Sequence, residues 1–171
     1  MHRRFRRPTA AFAALALAAC AAAPARAESG HTIRDNRHLW ATINVCDTLA
    51  HPDAIGIRGS MPGTGRAKEQ MYMRFQVQYF RASDGLWHNI ADGGDSGFVH
   101  VGSSMFKARQ AGRLFIFAPP AGGSWQMRGV VTFEWRLGTR TLLHVRMRTT
   151  AGHHAAQSDP SGYSSDTCVI A

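Results

Sequence analysis

The sequence predicts an all-β fold, an antiparallel β-sandwich of about eight strands. Three observations carry this. Apolar residues recur with a period of two in almost every apolar segment, the signature of half-buried strands. Clusters of Gly, Pro, Asn, Asp and Ser interrupt those segments roughly every ten residues, as they do in all-β domains. No stretch of useful length carries the spacing of an amphipathic helix, and no internal repeat is present.

The elements follow in order. "LWATINVC" (39–46) puts Leu39, Ala41, Ile43 and Val45 on one face, and "AIGIRGSM" (54–61) does the same with Ile55, Ile57 and Met61. "MYMRFQVQYF" (71–80) alternates most cleanly: Met71, Met73, Phe75, Val77 and Tyr79 against Tyr72, Arg74, Gln76, Gln78 and Phe80. "ASDG" (82–85) turns the chain into "LWHNI" (86–90), a hairpin signal. "ADGGDSG" (91–97) is a dense run of turn formers. Residues 98–109 read as one or two short strands, and Ala111-Gly112 as a turn into "RLFIFA" (113–118). After the loop "PPAGGS" (119–124), "WQMRGVVTFEW" (125–135) faces Trp125, Met127, Gly129, Val131, Phe133 and Trp135 one way and Gln126, Arg128, Thr132 and Glu134 the other. Leu137–Thr139 turns into "RTLLHVRMRT" (140–149), with Leu143, Val145 and Met147 inward. The polar segment 150–166 is a loop before a last strand in "TCVIA".

Residues 1–27 read as an export signal. Arg3, Arg4, Arg6 and Arg7 form its positive region, and the apolar stretch Ala10–Ala19 falls well short of the roughly 20 residues of a membrane-spanning helix. Ala25-Arg26-Ala27 is a cleavage site. An alternative cut exists at Leu17-Ala18-Ala19-Cys20, which resembles a bacterial lipoprotein box and would make Cys20 a lipidated terminus. Residues 28–38 form a polar lead-in, and 39–171 the sandwich domain. The expected location is secreted or extracytoplasmic, lipid-anchored to the membrane in the alternative. Membrane contact is expected only through the signal or that anchor.

The formal charge of the whole chain is +9, but five arginines and no acidic residue precede residue 28, so the remainder carries +4. That permits an acidic partner. No Lys/Arg run interleaved with aromatics survives in it, which excludes nucleic acid as a partner. Cys46 and Cys168 remain as an even pair in an exported chain, and a disulfide between them is expected. Closing so long a loop stabilises by roughly 4–5 kcal/mol in the chain-entropy account.

The strand–hairpin–Trp pattern "MRFQVQYFRASDGLWHNI" and the hairpin that follows "MRGVVTFEW" resemble immunoglobulin-like and fibronectin type III-like domains. Over residues 39–171 the chain resembles a family of secreted bacterial proteins with such a sandwich. That resemblance implies a fold and a compartment, and no activity. The cysteine pair departs from the antibody arrangement, since it ties the first strand to the last.

These residues offer three chemistries. Gly94-Asp95-Ser96-Gly97 matches the tetrapeptide around the nucleophile of chymotrypsin-like serine proteases, and His51 in "LAHPD" faintly echoes their histidine. The chain is too short for two barrels, and Phe98-Val99 stands where Gly-Pro normally follows, so no catalytic residue is expected and Ser96 reads as part of a turn. Histidines and methionines suit copper, but Met71, Met73, Met127 and Met147 fall on inward faces and His153-His154 are adjacent, so no metal site or cofactor is expected. The third candidate is a surface. If strands 71–80, 125–135 and 140–149 share a sheet, Tyr72, Arg74, Phe80, Arg128, Arg136, Arg146 and Arg148 line its outer face, with Gln76, Gln78, Glu134 and His144 among them. Arginines and aromatics together compose a binding face. The reading is therefore an exported binding or structural module of the cell envelope or extracellular space, whose partner is an anionic envelope polymer or an acidic protein. A periplasmic copper carrier is the alternative and a small secreted hydrolase the third.

Overall fold

The computed structural model describes residues 33–119 and 121–171. The export signal read at 1–27 and the alternative lipidation site Cys20 lie outside those residues. No helix among the described residues is long and apolar enough to cross a membrane.

The described chain is all-β, with nine strands: β1 (Trp40–Thr48), β2 (His51–Pro62), β3 (Gln70–Arg81), β4 (Leu86–Asn89), β5 (Asp95–Ser103), β6 (Ala108–Ile116), β7 (Trp125–Leu137), β8 (Arg140–Arg148) and β9 (Thr167–Ile170). They form two antiparallel sheets. One is β1-β2-β6; the other is β4-β3-β7-β8, with β5 pairing β3 beside β4 and β9 pairing β7 beside β8. This is the strand order of an immunoglobulin-like sandwich, A-B-E facing C′-C-F-G.

The period-two residues fill the space between the sheets. Ile43, Ile55, Ile57 and Met61 project from one sheet, and Met71, Met73, Phe75, Val77, Met127, Val131, Phe133 and Trp135 from the other; each is fully buried. Burying each such side chain stabilises by roughly 1.5–3 kcal/mol. The indole of Trp135 donates to the Pro62 carbonyl across the layers at 2.9 Å, which satisfies its one buried polar group. Gly129 sits on the inner face of β7 at a point of closest approach. A Cβ there would lie 2.6 Å from Thr149 Cγ2 and 2.9 Å from Ile57 Cδ1.

The polar segment before β9 is a loop without being loose. It runs along the free edge of β1. Thr150 N–H donates to Ala41 O (2.8 Å), Asp159 N–H to Asn44 O (2.9 Å), and Ile43 and Ser165 exchange both backbone bonds (2.9 and 3.0 Å). The chain then enters β9 on the opposite sheet, where Cys168 is bridged to Cys46 of β1. The expected disulfide thus joins first strand to last and, in doing so, one sheet to the other.

Three details differ from the sequence reading. Asp95-Ser96-Gly97, read as part of a turn, open β5. Ala111-Gly112 is no turn: β6 pairs with β2 without a register shift from Ala108 to Ile116, and Gly112 lies opposite Arg58. Glycine here is an extended strand residue, and local composition hides that. Ile33, inside the polar lead-in read at 28–38, packs with Leu39 in the core.

Replacing both cysteines with alanine should lower the free energy of unfolding by about 2–5 kcal/mol in urea titrations. Gly129→Ala should lower it by about 1–3 kcal/mol, because the new methyl has to push Ile57 or Thr149 aside.

Candidate binding face on the six-stranded sheet

Strands β3, β7 and β8 are neighbours, and their outward residues align in rows across the sheet. One row holds His100, Tyr72, Glu134 and His144; the next Phe98, Arg74, Thr132 and Arg146; the next Asp95, Gln76, Val130 and Arg148. Beyond them come Asn89, Gln78, Arg128 and Thr167, then Trp87 beside Phe80. Arg136 lies opposite Gln70 at the far end. The structure therefore places Tyr72, Arg74, Phe80, Arg128, Arg136, Arg146 and Arg148 on one side of one sheet.

Their charges are not equivalent. Arg74 is clamped by Asp95: its Nε donates to both carboxylate oxygens (2.9 and 3.0 Å), and Nη2 also bonds Oδ2. That hydrogen-bonded pair pulls the Asp95 carboxyl below, and pushes the Arg74 guanidinium above, its ordinary value. Arg136 donates from Nε to Glu134 Oε2 at 2.6 Å and lies between rings, 4.2 Å from the Tyr72 centroid and 4.5 Å from Phe98. Both arginines are neutralised where they stand.

Arg128, Arg146 and Arg148 are different. Arg128 donates to the neutral Gln78 Oε1 at 2.9 Å and stacks over Trp87 at 4.3 Å. Among the described residues no carboxylate pairs with any of the three. Burial, and then the charges of Arg148 and Arg146, push the Arg128 guanidinium below its ordinary value. Together with Gln78, Val130 and Met147 they line a hollow of about 240 Å³. The five aligned arginines of the sequence thus resolve into two that are locked and three that are unmatched. Sequence reasoning missed Asp95, Trp87 and Phe98 as members of this face. The hairpin signal at 82–85 put Trp87 within reach, but nothing local shows that "GDSG" opens β5 along the edge of β3.

The residues of the nucleophile reading are not brought together. Between Arg74↔Phe98 and Gln76↔Asp95 two residues of β5 face one of β3, a β-bulge. Ser96 Oγ accepts the Phe75 N–H at 2.9 Å and donates to Gly97 O at 2.7 Å, so both its functions are occupied by backbone. Gly97 takes a left-handed φ of 63°, which a glycine adopts without strain. His51 lies on the other sheet, its Nδ1 3.0 Å from Asp159 Oδ2, and that oxygen accepts the Thr48 hydroxyl at 2.6 Å. Three of the four methionines of the copper reading are separated from the histidines in the same way, and Met147 is half-buried at the edge of the arginine hollow. Met71, Met73 and Met127 are sealed in the core, while His153 stacks on Trp40 at 4.6 Å.

Comparison with protein-family models and with curated proteins found no match to this chain.

The Arg74–Asp95 clamp has a pH signature. A carboxyl whose folded pKa is lowered adds stability above its unfolded value of roughly 4, and that stability is lost as pH falls through the folded value. Carboxyl NMR should find Asp95 titrating below the ordinary aspartate value. Arg74→Met should move Asp95 back toward that value and reduce the stability that the pair contributes above it.

Proposed function

We propose that the protein is an exported binding module of the cell envelope or extracellular space, and that its six-stranded sheet holds an anionic polymer there. The observation that carries this is the set Arg128, Arg146 and Arg148, converging on one open hollow with no carboxylate among them. Like charges held together repel, and partial burial of Arg128 adds to that cost. An arriving anion relieves both. Guanidinium forks pair bidentately with carboxylate, sulfate or phosphate oxygens. Arg146 and Arg148 are two residues apart on β8, roughly 7 Å along the strand, a spacing that suits repeated charges better than one ion. The disulfide supports the compartment, because such bonds persist where the surroundings are oxidising.

Retention on an immobilised polyanion tests this. At near-physiological salt, Arg146→Glu/Arg148→Glu should lose about tenfold or more in affinity. Lys107→Glu/Arg113→Glu makes the same charge change on β6 of the other sheet and the turn leading into it, and should lose little. Equal losses in the two variants would show general basicity at work and no particular face. Binding should weaken steeply with added salt, since exposed charges are screened within roughly 8–10 Å.

A further inference from the structure

We infer that the polymer held by this face is an acidic polysaccharide, with pyranose rings carrying carboxylate or sulfate groups. This rests on the anion-binding reading above and narrows it. What lies beside the arginines carries it. One row beyond Gln78 and Arg128, the rings of Phe80 and Trp87 form a half-buried pair on the same outward side, 5.4 Å apart and inclined at 55°. The Arg128 guanidinium bridges the two regions, bonded to Gln78 and stacked on Trp87.

The track continues past them. Phe80 and Asn89 also line a cleft of about 820 Å³ at the end of the sandwich, together with Tyr79, Asp92, Ser124 and Trp125. Tyr79 and Trp125 are in ring contact there at 5.7 Å. Guanidinium groups thus give way to aromatic rings, and the rings to a cleft with exposed amide and carboxylate groups at its rim.

A polymer that carries charge alone engages only the arginines. Polyphosphate and polyglutamate have nothing flat to lay on Phe80, Trp87 or the cleft beyond. A pyranose ring has apolar C–H faces and a rim of hydroxyls. Its faces suit aromatic side chains, and its hydroxyls suit Asn89, Asp92 and Ser124. With an acid group on the ring, the same chain satisfies the arginines next door. Charge complementarity selects the anion and the adjoining aromatics select the sugar.

The test titrates the full chain with oligogalacturonate, dextran sulfate, uncharged dextran and polyglutamate matched in charge to the oligogalacturonate, read by calorimetry. At least one acidic glycan is expected to bind about tenfold more tightly than polyglutamate, and comparison of the two separates carboxylate from sulfate. Phe80→Ala/Trp87→Ala is expected to erase that difference, costing the glycan about tenfold more than it costs polyglutamate, which loses only the support Trp87 gives Arg128. Phe80→Tyr/Trp87→Phe, which keeps rings in both places, is expected to restore the difference. Arg146→Glu/Arg148→Glu is expected to weaken every anion. Equal affinity for glycans and polyglutamate, an aromatic variant that leaves glycan binding unchanged, or tight binding of uncharged dextran would overturn the inference while the anion-binding face stood. Failure of all three anions to bind would overturn the anion-binding reading itself.

Discussion

The attachment of the C-terminal segment to β1 is the constraint on which the rest depends. The smaller sheet has only three strands, and β1 is its edge. An open edge of alternating apolar residues is prone to pairing with other chains. Here the edge is covered from within by the backbone of residues 150–165, and the covering strip is held at its far end by Cys46–Cys168. The strip then delivers β9 to the other sheet, where it pairs the first residues of β7 while β8 pairs the rest. β7 runs for 13 residues and can do so because both of its edges are filled nearly throughout. The candidate face is laid out along that strand, whose first residues pair with β9 beside the bridge.

The electrostatics of the face are uneven for a geometric reason. Carboxylates are available at Asp95 and Glu134, near the β5 side and the upper rows, and each lies within reach of one arginine. Next to Arg128, Arg146 and Arg148 the rows hold Gln78, Thr132 and Val130, none of which can carry negative charge, and the one carboxylate in those rows, Asp95 at the β5 end of the Arg148 row, is taken by Arg74. Had the β7–β8 ladder been shifted, Glu134 would have met one of these arginines and cancelled it. Register alone therefore converts a mildly basic chain into a localised positive hollow.

Much of this was legible in the sequence because the period of two is a local signal. It assigned the inward residues of β3 and β7 correctly, and with them the core methionines and the outward arginines. What it could not supply was partnership. Asp95 lies in a run of turn formers, and its pairing with Arg74 comes from a bulge set by the register of two strands. The Ala111-Gly112 pair looks like a turn because glycine's extended conformation inside β6 is imposed by nine consecutive pairings with β2. The polar strip at 150–165 reads as a plain loop, since its backbone bonds to β1 leave no mark on side-chain composition.

The "GDSG" tetrapeptide shows how far a local match can mislead, and what those residues do instead. A nucleophile needs a free hydroxyl beside a base. Ser96 has neither, because its hydroxyl repairs the backbone bond that the bulge removes from Phe75. Gly97 allows the left-handed step that makes the bulge, and its N–H donates to Asp95 Oδ1 at 2.9 Å, holding the carboxylate ready for Arg74. Asp95, Ser96 and Gly97 are thus used in one device, a bulge that fixes a carboxylate at the sheet edge. That device keeps Arg74 out of the hollow and leaves the uncompensated charge on the β7–β8 side, next to the aromatic row.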